Sequence, residues 1–408
     1  MKILIISLWY YPEPVGKPHD LATELVKRGH QVTVITGFPN YPSGRIYPGY
    51  RSNLCRWETI DGVRVLRVAH LIDRSRSAVR RISSYMSFSL IATILGILLL
   101  ERPDVIWTYQ IGLPGITIGA LKVAPLIHEV QDLWPDWGRS STNGISGWLN
   151  RLLMAQERFI YRKAAVVTTI TEGFRRILLT RGITAEKIKV LPNWANDEYF
   201  RPVERDINLG AREELNDRFN IIYGGNVGAA QGLDVVLKAA YLLQDVKDIQ
   251  FIIIGDGVER VTLAAHAKSK GLDNVRFLGS RPQNLMAQYF AFADVLLLHL
   301  VQDPAYEITI PSKTYAYLAS ARPILAAAQG DVADLINEAG AGIVCASQNP
   351  QSLAQAVRQF FTLSRHERDA MGQAGRKEFL ANFTRSQLVT RYEMIAKTVI
   401  EQTNSRLK

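Results

Sequence analysis

The sequence predicts an α/β protein of two doubly wound domains, and three observations carry that expectation. Short apolar runs suited to buried strands alternate with helical stretches from Lys2 to Leu191, and the alternation starts afresh at Phe219. The 408 residues exceed the size at which one hydrophobic core keeps growing. Between the two runs, residues 197–216 are charged and lack a clear period, as a linker does. The domains are therefore drawn at 1–195 and 196–384, with a helical segment over 385–408 able to pack back on the first. In such a pair, ligands bind at the carboxyl ends of the strands, in a central cleft faced by both domains.

Taken in order, strands are expected at Lys2–Ser7 and Gln31–Thr36, joined through a Pro-rich loop over Leu8–Lys17 and a helix over Leu21–Lys27 that Gly29 stops. Val63–Val68, Val105–Tyr109, Ala124–Glu129, Val166–Ile170 and Ile188–Leu191 continue the strands, with helices at Ile82–Leu100, Gly115–Lys122, Trp148–Ala164 and Glu172–Leu179. The second run places strands at Phe219–Tyr223, Phe251–Ile254, Val275–Leu278, Val295–His299 and Ile324–Ala327. Its helices fall at Val235–Leu243, Val261–Lys270, Asn284–Phe292 and Lys313–Ser320, and Arg385–Lys397 ends the pattern.

A content of 47% hydrophobic and 21% charged residues is that of a globular protein. Two cysteines, Cys55 and Cys345, give neither a disulfide framework nor a metal spacing, which suits a reducing cytoplasmic setting. The net charge of +10 is uneven: residues 1–200 hold 25 Lys+Arg against 16 Asp+Glu, and residues 201–408 hold 23 against 22. A basic first half attracts phosphorylated ligands or anionic lipid; nucleic acid is not expected, since no zinc-finger spacing, RNA-binding motif or basic tail occurs. Ile82–Leu100 follows Arg74, Arg76, Arg80 and Arg81. It is read first as a buried crossover helix, with a helix lying on a membrane surface and a membrane span as the alternatives.

Three stretches carry candidate chemistry. Ile310-Pro311-Ser312-Lys313 joins an apolar strand to a helix, and would aim free N–H groups and an ammonium at one spot, which suits a diphosphate; the plain alternative makes Ser312 an N-cap. Gly224, Gly225, Gly228 and Gly232 lie between a strand and a helix, where glycines admit a phosphate close to the backbone, although their spacing is not the dinucleotide fingerprint. Gly255-Asp256-Gly257 is a further strand-end turn. His128-Glu129-Val130-Gln131-Asp132-Leu133-Trp134-Pro135-Asp136 gathers ionisable groups past a strand end, able to orient a hydroxyl or take its proton, or else only to cap a loop. No Asp-x-Asp triplet offers ligands for a divalent metal, so no metal or cofactor is expected.

With these motifs, Pro12–Gly16, Glu24–Thr36, Pro39–Pro42, Asp132–Pro135, Lys187–Asn193, Gly225-Asn226 and Ile310–Lys313 resemble the family-4 retaining glycosyltransferases of the GT-B fold, in the branch that builds bacterial surface polysaccharides. The resemblance spans almost the whole chain. It implies two Rossmann-like domains, acceptor-binding first and nucleotide-sugar-binding second. Donor contacts are implied at Gly16, Gly225, Asn226, Gly228, Gln231, Gly255, Gly257, Glu307, Ile310, Pro311, Ser312 and Lys313, and catalytic or positioning roles at Asp132, Glu129, His128 and Lys313. The sequence departs from the family where a ribose-gripping Glu is replaced by Ala316 and its partner by Ile308, with Glu307 one residue out of register. Asn226 and Gln231 stand where an Arg and a Lys are usual, and Gln131 where a His is usual.

The activity implied is metal-independent transfer of a hexose-type sugar from a UDP-sugar, such as UDP-glucose or a UDP-N-acetylaminosugar, to a lipid-linked or glycan acceptor with retention. The cytoplasmic face of the membrane is the implied setting, with peripheral contact between the first domain and anionic lipid. A nucleotide-sugar epimerase of the same fold and a non-catalytic sugar-nucleotide-binding regulator are the alternatives.

Overall fold

A computed structural model of the chain describes residues 1–51, 53–72, 78–133 and 147–407. Arg74, Arg76, Trp134, Pro135 and Asp136 lie outside the described residues. The chain divides into two compact units, Met1–Pro192 with Ser386–Lys408, and Asn193–Arg385.

The first unit contains β1 (Lys2–Ser7), α1 (Gly16–Lys27), β2 (Gln31–Gly37), β3 (Cys55–Ile60), β4 (Val63–Val68), α2 (Ala78–Leu99), β5 (Val105–Tyr109), α3 (Leu113–Lys122), β6 (Leu126–Val130), α4 (Gly147–Lys163), β7 (Val166–Thr169), α5 (Glu172–Thr180) and β8 (Ile188–Val190). The sheet order is β3-β4-β2-β1-β5-β6-β7-β8. Every pair is parallel except β3 with β4. Strands covered by helices on both faces must be apolar throughout, and β1 is buried from Ile3 onward. From β1 the chain first runs outward through β2 and β4, then crosses to β5 on the other side. The strand order therefore reverses between β1 and β5, where such sheets bind ligands.

Two features of this unit differ from the sequence reading. The edge strand β3 went unassigned because Cys55–Ile60 is polar and mostly exposed; Asp61 and Gly62, both at positive φ, turn it back onto β4. Helix α2 is the expected crossover, but it is not a buried one. Phe88, Ala92 and Leu95 face the core, while Val79, Met86, Leu90, Ile94 and Leu98 form an outward apolar stripe, with Leu98 71% exposed. Among the described residues it is the one helix long and apolar enough to cross a membrane.

The second unit contains α6 (Ile207–Arg212), β9 (Phe219–Gly224), α7 (Leu233–Tyr241), β10 (Ile249–Ile254), α8 (Arg260–Ser269), β11 (Val275–Gly279), α9 (Met286–Phe290), β12 (Val295–His299), α10 (Pro304–Glu307), α11 (Ser312–Ala319), β13 (Ile324–Ala327), α12 (Asp331–Glu338), β14 (Gly342–Cys345), α13 (Pro350–Thr362) and α14 (Arg365–Asn382). Its parallel sheet runs β11-β10-β9-β12-β13-β14, with an apolar core on each face. The order reverses between β9 and β12. These strands pair only at Val295↔Ile221 and Leu296↔Ile222, then part. The Tyr317 hydroxyl fills the gap: it accepts the Gly224 N–H at 2.8 Å and lies 3.2 Å from the carbonyl oxygens of both Gly224 and Leu297. Parting the strands while satisfying their backbone opens a crevice at their carboxyl ends at no hydrogen-bonding cost.

The last helix, α15 (Arg385–Leu407), belongs from Ser386 onward to the first unit. Leu388, Val389, Tyr392, Ala396 and Val399 form its buried face at helical spacing. Arg28 fastens its start, donating to the Ser386 carbonyl and to Thr390 Oγ1, each at 2.8 Å.

Candidate functional site

In the second unit the crevice between β9 and β12 is bounded by two turns. The first follows β9. Gly225 has φ +147, and a Cβ on it would sit 3.1 Å from both Cε and Nζ of Lys313. Gly255, after β10, packs so closely that a Cβ would lie 1.8 Å from the Gly225 oxygen, and one on Gly257 would lie 2.2 Å from the Val227 oxygen. Gly225 N–H donates to Ile254 O and Val227 N–H to Asp256 O, both at 2.9 Å, so the two turns form one backbone layer. Gly255 and Gly257 thus support the turn that carries Gly225. Asn226 Nδ2 donates to Gln231 Oε1 at 3.2 Å, beside Gly228.

The second boundary is the α10–α11 segment. Pro311, not Ser312, is the N-cap of α11, and no side-chain oxygen caps this helix. The plain reading of Ser312 as an N-cap is thereby corrected: Ser312 is the exposed first helical residue, and while the Thr314 N–H donates to Pro311 O at 2.9 Å, those of Ser312 and Lys313 keep their capacity for an anion. Glu307 is exposed, and its backbone lies on Gly330, where a Cβ would come 1.9 Å from the Glu307 oxygen. Ile310 packs against the core and anchors the segment.

Lys313 connects the two boundaries. Its Nζ lies 2.5 Å from the Tyr223 hydroxyl and 4.0 Å from the centre of that ring. The same hydroxyl donates to Asn226 O at 2.5 Å. Among the described residues Lys313 has no carboxylate partner, and burial lowers its ammonium to a pKa of about 7. A cation without a counter-ion, seated over a glycine turn and next to an uncapped helix N-terminus, is the arrangement that binds an anion.

In the first unit the three expected catalytic side chains separate. His128 is 1% exposed, and its Nδ1 lies 2.8 Å from Thr108 Oγ1; burial takes its pKa down to about 3. Glu129 is 1% exposed and forms an ion pair with Lys17 at 2.7 Å. It also accepts from the Tyr392 hydroxyl of α15 and from Gln131 Nε2. The expectation that either orients a substrate hydroxyl is corrected: consecutive residues of a doubly covered strand point into opposite cores, and both side chains are already engaged there. Asp132, past the strand end, is exposed. Gln110, at φ +65, holds this turn by accepting from the N–H groups of Gln131 and Asp132 and donating to Asp132 O. Sequence reasoning missed it, because a glutamine after a strand carries no visible sign of positive φ. Gly16 opens α1, and a Cβ on it would meet only Asp20 Oδ2, at 3.8 Å.

In the loops after β1 and β2, which the sequence marked by their prolines, the anchoring roles of Glu13 and Arg67 were missed. Glu13 accepts from the N–H groups of Tyr10, Asn40 and Tyr41 at 2.8–3.0 Å. Fully buried Arg67 donates to Gly37 O at 3.1 Å and to Tyr11 O at 2.5 Å. These two charges fix the loops that carry Trp9, packed at 5.2 Å against Tyr41 and at 6.2 Å against Tyr85.

Two family models match the chain: a glycosyl transferase 4-like domain over residues 18–194, and glycosyl transferases group 1 over residues 205–378. The chain is a glycosyltransferase of the GT-B type, with relatives in polysaccharide biosynthesis. WcaI of Escherichia coli K12, named for a colanic acid biosynthesis glycosyl transferase, is 28% identical over 90% of this chain and 93% of its own. Among solved structures, Anabaena HepE in complex with UDP and glucose covers 98% of this chain and 99% of its own, with a TM-score of 0.68 at 16% identity. An E. coli structure named as trehalose-6-phosphate and bound with UDP-2-fluoro glucose covers 97% of this chain and 99% of its own, with a TM-score of 0.73 at 14% identity.

Proposed function

We propose that the protein moves a hexose-type sugar from a UDP-sugar to a lipid-linked or glycan acceptor in surface polysaccharide synthesis, with retention and without a metal ion. The observation that carries this reading is Lys313, a cation without a carboxylate partner among the described residues, held over the Gly225 turn. As the glycosidic bond breaks, negative charge builds on the leaving diphosphate. The Lys313 ammonium, the N–H groups of Ser312 and Lys313 at the start of α11 and the backbone of the Gly225–Gly228 turn oppose that charge. The acceptor hydroxyl attacks from the face the diphosphate leaves, and a departing phosphate oxygen takes its proton. Asp132 positions a substrate hydroxyl, and the Trp9, Tyr41 and Tyr85 rings offer the acceptor an aromatic surface.

The names of WcaI and of the UDP-bound neighbours favour a polysaccharide acceptor and a UDP donor. In this reading the protein works in the cytoplasm at the inner membrane face, and the outward stripe of α2 lies against anionic lipid beside exposed Arg80. Purified protein incubated with UDP-sugars and a lipid-linked acceptor, with and without EDTA, tests the core of the reading. UDP release that requires acceptor and survives EDTA is expected. A new sugar epimer without UDP would replace transfer with epimerisation, and binding without turnover would leave a regulator.

A further inference from the structure

One buried group at the same crevice has no role in the reading above. His299 is the last residue of β12, at the point where the strand order reverses, and it is fully buried. Its Nδ1 lies 2.7 Å from the carbonyl oxygen of Gln231. A carbonyl only accepts, so Nδ1 carries the hydrogen and Nε2 of the neutral ring presents a lone pair. Burial favours that neutral form, and the Lys313 ammonium adds to it, against the opposing pull of Asp234 and of the Gln231 carbonyl. Nε2 is buried and has no hydrogen-bond partner among the described residues. Native structures rarely leave a buried polar atom bare, and a bare one beside a binding crevice points to a ligand.

The ring's surroundings place it under the donor turn. Gly232, at φ +53, starts α7, and a Cβ there would come 3.1 Å from His299 Cε1 and 3.2 Å from Nδ1. The carbonyl that Nδ1 holds belongs to Gln231, whose side chain accepts from Asn226. One nitrogen is therefore spent on shaping the turn, and the other is unspent.

We propose that His299 serves the donor site twice: Nδ1 holds the Gly228–Gly232 turn, and Nε2 accepts a hydrogen bond from a hydroxyl of the bound sugar nucleotide. This rests on the reading of the glycine turn as the donor site. A diphosphate offers only acceptors and cannot pair with a lone pair, so the partner is a hydroxyl of the ribose or of the transferred sugar. The resemblance leads one to expect a ribose-holding carboxylate at the position of Ala316, which this chain lacks.

Calorimetric titration of wild type, H299N and H299Q with UDP and with UDP-glucose, alongside thermal melts, tests the assignment. Asparagine keeps an N–H near the position of Nδ1 but has nothing at Nε2. H299N should melt close to wild type yet bind about fivefold to tenfold more weakly, the worth of one hydrogen bond. Loss with both ligands assigns the ribose hydroxyl; loss with UDP-glucose alone assigns the transferred sugar. H299Q restores a polar atom near Nε2, and should melt lower while keeping more affinity than H299N. Wild-type affinity of H299N for both ligands would overturn the proposal. Should H299N not fold, ¹⁵N-histidine spectra of the wild type decide: the Nε2 resonance must move when ligand saturates, and a fixed resonance overturns the assignment. A wild type that binds neither ligand defeats the donor reading itself, and this proposal with it.

Discussion

Replacing Lys313 with methionine should produce two opposite effects, and their combination is specific to a buried cation that waits for an anion. Methionine keeps the length of the side chain over the Tyr223 ring and removes the charge. A charge-assisted hydrogen bond is worth about 1.5–3 kcal/mol, so UDP should bind about tenfold to 150-fold more weakly. Stability should move the other way. Burial holds the folded-state pKa near 7, below the ordinary lysine value of 10.5. The unfolded chain therefore binds more protons between those values, and wild-type stability rises with pH across that window. Below pH 7 the wild type carries the full burden of a buried ammonium, so K313M should be more stable than wild type at pH 6, with the difference vanishing by about pH 10. Wild-type affinity for UDP should fall above pH 7 by up to about tenfold per unit, as the free ammonium is lost. Calorimetry and urea melts from pH 6 to 9 measure both. Unchanged UDP affinity in K313M, or a stability difference flat with pH, would refute the argument.

Glu129→Gln should cost about 3–5 kcal/mol in urea unfolding, because it breaks a buried ion pair from one side, whereas Lys17→Met with Glu129→Leu should recover most of that loss. Near-normal transfer by the double variant would confirm that Glu129 is architectural; abolished transfer in a folded double variant would return it to the chemistry. Gly255→Ala should destabilise by about 2 kcal/mol or more, since the new Cβ would stand 1.8 Å from the Gly225 oxygen, while Gly29→Ala, with nothing within 4 Å, should cost only about 1 kcal/mol for its positive φ. Trp9→Ala should raise the acceptor KM and leave the donor KM unchanged; a donor effect of equal size would remove the aromatic surface from the acceptor side. Leu90→Glu with Leu98→Glu should abolish sedimentation with anionic liposomes and spare turnover of a soluble acceptor; undiminished sedimentation would discard the α2 contact.

The central parallel strands were legible because burial on both faces favours apolar runs, and Phe251–Ile254 or Val295–Leu298 can be little else. What escaped sequence reading was polar or amphipathic. Strand β3 lies at an edge where charge is tolerated, and β14, a four-residue edge strand with no fully buried residue, sits among α12, α13 and α14 in residues 331–382. The glycine turn and Lys313 were legible as types of residue in order along the chain. Their chemistry was not, since it depends on Gly225 leaving room for Nζ and on Tyr223 seating it.

His128 and Glu129 show the converse. Ionisable residues at the end of a predicted strand suggested chemistry, but the strand, Leu126–Val130, is buried throughout and holds both side chains in the core. Both are already engaged there, His128 with Thr108 and Glu129 with Lys17 and Tyr392. Asp132, two residues past the end of β6, is exposed and keeps its place as a candidate. In the second unit β12 ends at His299, whose ring is fully buried where the strand order reverses but keeps one nitrogen unpaired among the described residues.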